Sequence, residues 1–335
     1  MKQDRGIKFK MEILGLASLA IILGLIGLVW GADNFVSGSV GAAYNFKISP
    51  LVIGLTIVSF GTSAPEIIVS IDASLNQAGD IGIGNAIGSN LANIGLVLGV
   101  TALICPIPFS KNLLKTEGVA LVVATLLGGF FLYDGSLTNT EGLILIFAAL
   151  PLMTYIFYRK KYKPTQELKN KRKEIVLMST KKAVIYFFCG LLVLLISADL
   201  LVWGAINFAE FFGVSKLIIG LTVVAIGTSL PELAASVSSA LKGHHDIAIG
   251  TIFGSNLYNL LIVMALPGVI ATPKLTEEVF YRDYMSMGSL TLILLVIILY
   301  VSYIARNKGA QATISKKLGL LLLMLYALYY ALLMI

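Results

Sequence analysis

The sequence predicts an all-α polytopic membrane protein: ten transmembrane helices in two inverted-topology repeats of five, with helices 2 and 7 broken. Three observations carry this. Of 335 residues, 57% are hydrophobic and only 13% charged, with a mean hydropathy of +0.90, whereas a soluble chain carries about 25% charged residues. Apolar runs of spanning length, about 20 residues, recur along the whole chain, and its two halves repeat each other at a fixed spacing. The composition excludes a cytoplasmic enzyme, a disordered scaffold and a nucleic-acid-binding domain, despite a net charge of +7.

The runs fall at residues 12–31, 48–77, 81–105, 117–134, 141–158, 183–208, 214–242, 247–271, 284–304 and 317–335. The first follows Lys2, Arg5, Lys8 and Lys10 and ends at Trp30-Gly31-Ala32-Asp33 without an evident cleavage site, so it reads as a membrane helix rather than a removed signal. The second is too long for one straight span. Its 30 positions would make a helix of about 45 Å in a hydrocarbon core of about 30 Å. Gly61-Thr62-Ser63-Ala64-Pro65 places a break at its middle: Pro65 lacks an amide proton, Gly61 relaxes the backbone, and Thr62 or Ser63 can cap the new half-helix. The seventh run repeats this at Gly227-Thr228-Ser229-Leu230-Pro231. Two broken helices should therefore meet near the bilayer midplane.

Between the fifth and sixth runs, residues 159–182 hold ten Lys and Arg against two Glu, so this one loop accounts for the whole net charge. Short basic loops stay cytoplasmic. The chain thus divides into a first five-helix repeat (1–158), a basic cytoplasmic loop (159–182) and a second, inverted repeat (183–335), since an odd number of crossings per half reverses the direction of entry. Arg306, Lys308, Lys316 and Lys317 then fall inside, and Asp134, Glu141, Glu277, Glu278 and Asp283 outside, as the positive-inside rule requires. The N-terminus is placed outside, against its own four basic residues.

Laying residue n over residue n + 166 aligns Gly54–Leu98 with Gly220–Met264 without a gap, with 21 of 45 positions identical. Shared are Gly-Thr-Ser-x-Pro-Glu (61–66 and 227–232), Asp-Ile-x-Ile-Gly (80–84 and 246–250) and Gly-Ser-Asn-Leu-x-Asn (88–93 and 254–259). Glu66 and Glu232 follow the two breaks directly. A carboxylate at the bilayer centre costs about 2.5–3.5 kcal/mol on the insertion scale, and no intramembrane Lys, Arg or His stands nearby in sequence. Bound cations, protons or water must compensate. Two carboxylates with hydroxyl and carbonyl oxygens form a hard-oxygen site suited to calcium or sodium. Ser89 and Asn93, like Ser255 and Asn259, share a helix face and either present oxygens to this site or join helices by hydrogen bonds. Gly84/Gly88 and Gly250/Gly254 form GxxxG pairs that permit close helix approach, and their spacing and setting do not fit a dinucleotide site.

Other polar residues rank below these. Asp33 and Asp199 correspond under the same offset but lie toward span ends, which favours a structural role. His244 and His245 read as loop residues, Asp72 faces Ser238 in the alignment and is left out, and Cys105 and Cys189 read as small buried hydrophobes. An intramembrane hydrolase using Ser63 or Ser229 lacks a base among the spans, so no enzyme is expected.

Paired GTSxPE and GSNLxN motifs across nearly the whole chain resemble the sodium/calcium exchanger family of the calcium/cation antiporter superfamily. The resemblance implies an antiporter that carries calcium and sodium by alternating access, with no cofactor, as a monomer in the cell membrane. It implies that Glu66 and Glu232 coordinate calcium with the carbonyls of Thr62 and Thr228. One sodium site would use Ser63, Ser255 and the carbonyl of Ser59, the other Ser229, Ser89 and the carbonyl of Ala225, with Asn93 and Asn259 completing the centre. Position 259 is Asn where some relatives have Asp, which removes a possible negative charge and leaves sodium, proton or potassium open as the driving ion. Position 59 is Ser where Ala is common. Lipid is the expected surrounding, and a cation channel is the reading from a different class.

Overall fold

The computed structural model describes residues 2–110, 112–160, 178–214 and 225–333, with side chains for all of these but residues 2–10 and 225. Its helices are α1 (Lys2–Asn45), α2 (Pro50–Thr62), α3 (Ala64–Leu75), α4 (Gly79–Ile104), α5 (Leu114–Leu132), α6 (Asn139–Arg159), α7 (Thr180–Phe211), α8 (Ala225–Gly227), α9 (Leu230–Leu241), α10 (His245–Ile270), α11 (Val279–Asn307) and α12 (Lys316–Leu333). Among the described residues, eight helices are long and apolar enough to cross a membrane, and α2 with α3 makes a ninth, broken span. The remaining expected span, the seventh run, ends in α8 and α9; residues 215–224 lie outside the described residues, as do residues 161–177 of the basic loop.

The duplication reappears as geometry. Under the offset of 166, α3 falls on α9, and the π-helical turn Asn93–Val97 inside α4 falls on Asn259–Val263 inside α10. The equivalent helices α1 and α7 pack antiparallel along their length, held close by glycine. A Cβ on Gly31 would stand 2.6 Å from the Leu194 nitrogen, on Gly38 2.3 Å from that of Phe187, and on Gly190 2.3 Å from that of Phe35. Sequence-equivalent helices running in opposite directions are what an inverted repeat demands.

Two local results differ from expectation. The first apolar run stops at residue 31, but α1 continues to Asn45. Its polar residues do not end the helix because they bond within it: Asn34 Nδ2 donates to the Trp30 carbonyl, Ser37 Oγ to that of Asp33 and Ser39 Oγ to that of Phe35. The cysteines are not buried: Cys189 is exposed and Cys105 half-buried, both as free thiols. Hydropathy does not separate a lipid-facing position from a core one, because both are apolar. One short antiparallel pair, Ile107–Pro108 with Thr313–Ile314, ties the connection between α4 and α5 to that between α11 and α12.

At the centre, α4 and α10 are wrapped by α2, α3, α5, α9, α11 and α12, and most of their residues are buried. Gly250 and Gly254 make the approach of α10 to α2 possible, since a Cβ on them would meet the Leu51 and Leu55 carbonyls at 2.5 and 2.3 Å. A Cβ on Gly84 or Gly88 would meet no atom of another described element within 4 Å; the positions equivalent to Leu51 and Leu55 are 217 and 221, outside the described residues.

Candidate cation site

The broken span bends by 43° between α2 and α3. Ser63 is the single residue between the two helices, and Pro65 sits in the first turn of α3, where its missing N–H costs nothing. The capping expected of Thr62 or Ser63 is not made: Ser63 occupies the N-cap position without a side-chain cap bond. Its hydroxyl crosses to the other half of the molecule, where Ser63 Oγ donates to Glu232 Oε1 at 3.0 Å. Ser229, the N-cap residue of α9, also makes no cap bond, and its buried Oγ has no partner.

Glu66 and Glu232 are each 1% exposed and close enough for their charges to interact. Each has one oxygen within reach of a serine of its own half, Ser89 Oγ to Glu66 Oε1 at 3.5 Å and Ser255 Oγ to Glu232 Oε1 at 3.4 Å. The second oxygen of each, Oε2, is buried and unpartnered. Asn93 and Asn259 are buried at the starts of the two π turns, with both side-chain atoms unpartnered. Thr62 is buried beside Glu232, and its Oγ1 donates to the Ser59 carbonyl at 3.2 Å. Ser59 spends its own hydroxyl on the Leu55 carbonyl at 2.6 Å, one turn before the break. Thr228 and Ser229 form the turn between α8 and α9, and Ala225 lies in α8.

Glu66 with Ser89, and Glu232 with Ser63 and Ser255, thus form two neighbouring bonded groups drawn from α3, α4, α9 and α10 and the junction between α2 and α3. Buried polar groups normally find partners, so four unpartnered oxygens, one each on Glu66, Glu232, Asn93 and Asn259, mark a place that hard cations can satisfy. Asn85 was not anticipated: its Nδ2 donates to the Glu66 carbonyl at 3.2 Å. Its counterpart is Thr251, so the duplication gave no signal for it.

The residues set aside remain outside this set. Asp33 forms an ion pair with Lys242 at 2.6 Å near the end of α9, which fits the structural reading, and Asp199 is exposed on α7. Asp72 is exposed and accepts from Asn76, while His244 and His245 stand at the start of α10.

A family model for the sodium/calcium exchanger protein matches residues 16–158 and 182–335. Sodium/calcium exchanger MaX1 of Methanosarcina acetivorans is 32% identical over 327 residues, covering 84% of this chain and 90% of that protein. Inner membrane protein YrbG of Escherichia coli is 35% identical over 277 residues, 81% of this chain and 85% of its own length. Among solved structures, the sodium-calcium exchanger NCX_Mj soaked with 10 mM Na+ and 10 mM Sr2+ matches with a TM-score of 0.80 at 30% identity, covering 95% of this chain and 98% of that one.

Proposed function

Because the chain belongs to the sodium/calcium exchanger family, a family of membrane-embedded cation/calcium antiporters, we propose that it exchanges calcium for sodium across the cell membrane at Glu66 and Glu232. The observation that carries this reading is the pair of buried carboxylates, each with an unpartnered oxygen, with Ser63 of the first half donating to Glu232 of the second. When ionised the pair carries two negative charges, which one calcium or two sodium ions balance. Loading one cation therefore displaces the other, and an unloaded pair repels itself. That competition supports exchange rather than parallel flow.

Asn93 and Asn259 supply neutral oxygens at the centre, Ser63 with Ser255 and Ser229 with Ser89 flank it, and the carbonyls of Ser59, Thr62, Ala225 and Thr228 border the breaks. The α1–α7 pair packs outside this core and shifts against it to open the site to each side in turn. Residues 159–182 lie in the cytoplasm and the N-terminus outside, with the protein acting as a monomer.

The test is calcium flux in proteoliposomes with sodium, potassium and pH gradients imposed one at a time. Sodium-driven uptake of radiolabelled calcium is expected, lost on dissipating the sodium gradient at constant pH. Glu66→Gln and Glu232→Gln should each reduce it at least tenfold. Wild-type rates in these variants would refute the ligand assignment, uptake driven by pH alone would identify a proton exchanger, and flux indifferent to every counter-ion would identify a channel.

A further inference from the structure

Beyond the central site, α9 carries a second set of buried oxygens that the exchange site leaves unused. Ser236 and Ser239 are both 0% exposed, and neither Oγ has a partner. They stand four and seven residues after Glu232, on the same face of the helix. Ser229 Oγ and Glu232 Oε2, also unpartnered, begin the series. From Ser229 to Ser239 this file runs about 15 Å along the axis, from the centre of the protein toward the end of α9.

The other half shows that this is not a general feature of the fold. Ser70, the counterpart of Ser236, is also 0% exposed, but its Oγ donates to the Val263 carbonyl at 2.7 Å. That carbonyl is free because position 267 is Pro, which has no N–H to return to it. The counterpart of Pro267 is Thr101, and its hydroxyl takes the equivalent Val97 carbonyl at 2.6 Å. Ser236 therefore finds its matching acceptor already engaged. The counterpart of Ser239 is Ala73, with no hydroxyl at all. One copy of the repeat has turned its serine to structural use, while the other keeps two hydroxyls buried and unbonded within the bilayer, where such groups are retained at a cost.

We propose that Ser236 and Ser239 are transit positions for the transported cation and its remaining water, forming a hydroxyl-lined path along α9 between Glu232 and one membrane surface. Hydroxyl oxygens suit a hard cation that has shed part of its hydration. The surface reached is the one bearing residues 159–182, because α7 leaves that side at Thr180 and α8 and α9 return to it. The first half offers no equivalent path along α3, so the two access routes differ in chemistry although their scaffold is duplicated. This rests on the antiport reading for the identity of the ion, but its test does not depend on which gradient drives transport.

Single cysteines at Ser236, Ser239 and Ser70, and at Ala234 on the opposite face of α9, are introduced into a Cys105→Ser, Cys189→Ser background. They are then exposed to a small cationic methanethiosulfonate in sealed vesicles. Ser236→Cys and Ser239→Cys are expected to react at least tenfold faster than Ala234→Cys and Ser70→Cys, and only with reagent on the side of residues 159–182. Rates equal to those of Ala234→Cys, or reaction from the other side, overturn the proposal. A second variant avoids the thiol: Ser236→Ala with Ser239→Ala should lower the maximal calcium flux about threefold or more while leaving equilibrium calcium binding unchanged. Unchanged flux, or an equal loss of binding, overturns it as well.

Discussion

Ser70 and Ser236 are the same residue at equivalent places, yet their removal should have opposite consequences for stability. Ser70→Ala deletes the 2.7 Å bond to the Val263 carbonyl, and Pro267 cannot supply the missing donor. A buried acceptor is left unpaired, at a cost of about 1–3 kcal/mol. Ser236→Ala removes a hydroxyl that has no partner and so should be neutral or slightly stabilising. The assay is thermal unfolding of the purified protein in detergent, followed by the fraction that remains monodisperse. Ser70→Ala should lower the midpoint by several degrees and Ser236→Ala should not. Pro267→Ala returns an N–H to the Val263 carbonyl, so Ser70→Ala combined with Pro267→Ala should recover much of the loss, a coupling that a double-mutant cycle reads directly. Equal losses for the two serines, or no rescue by Pro267→Ala, would refute the reasoning.

Three further outcomes test the scaffold. Gly190→Val should abolish the folded monomer in size-exclusion profiles, because even a Cβ there would stand 2.3 Å from the backbone of Phe35 and α1 cannot retreat without opening the seam. Glu117 is fully buried and pairs with Lys160 at 3.3 Å; Lys160→Met should therefore destabilise by about 3–5 kcal/mol, and Glu117→Gln added to it should return part of that, as read from the same melting assay. Lys242→Met breaks the ion pair with Asp33, whose side chains are 28% and 57% exposed, so the melting point should move by no more than about 1 kcal/mol allows.

Much of the architecture was legible because membrane physics writes it into composition. Spans must be long apolar runs, loop charge sets orientation, and a gapless duplication with five runs per half implies inversion. The antiparallel packing of α1 on α7 then follows. Glu66 and Glu232 were legible for a related reason: among so few charges, two carboxylates at equivalent intramembrane positions demand compensation. The helix break was legible from Pro65, but the use of Ser63 was not, since a hydroxyl at an N-cap position had a nearer partner on its own backbone than the glutamate it found. Cys189 and the far end of α1 were misjudged, because hydropathy measures only whether a residue avoids water and not whether it meets lipid or protein.

The sequence by itself determined the number and order of spans, the duplication, the basic loop between the halves and the identity of the paired acidic residues. Only the tertiary structure decided which of two equivalent side chains is bonded and which is left unpartnered. Ser63 reaches Glu232 while Ser229 reaches nothing, and Ser70 closes a gap at Pro267 while Ser236 finds Val97 already bonded to Thr101. The physical reason is that hydrogen bonds are short and directional: they depend on neighbours brought together from distant parts of the chain, which a repeat of residue types cannot specify.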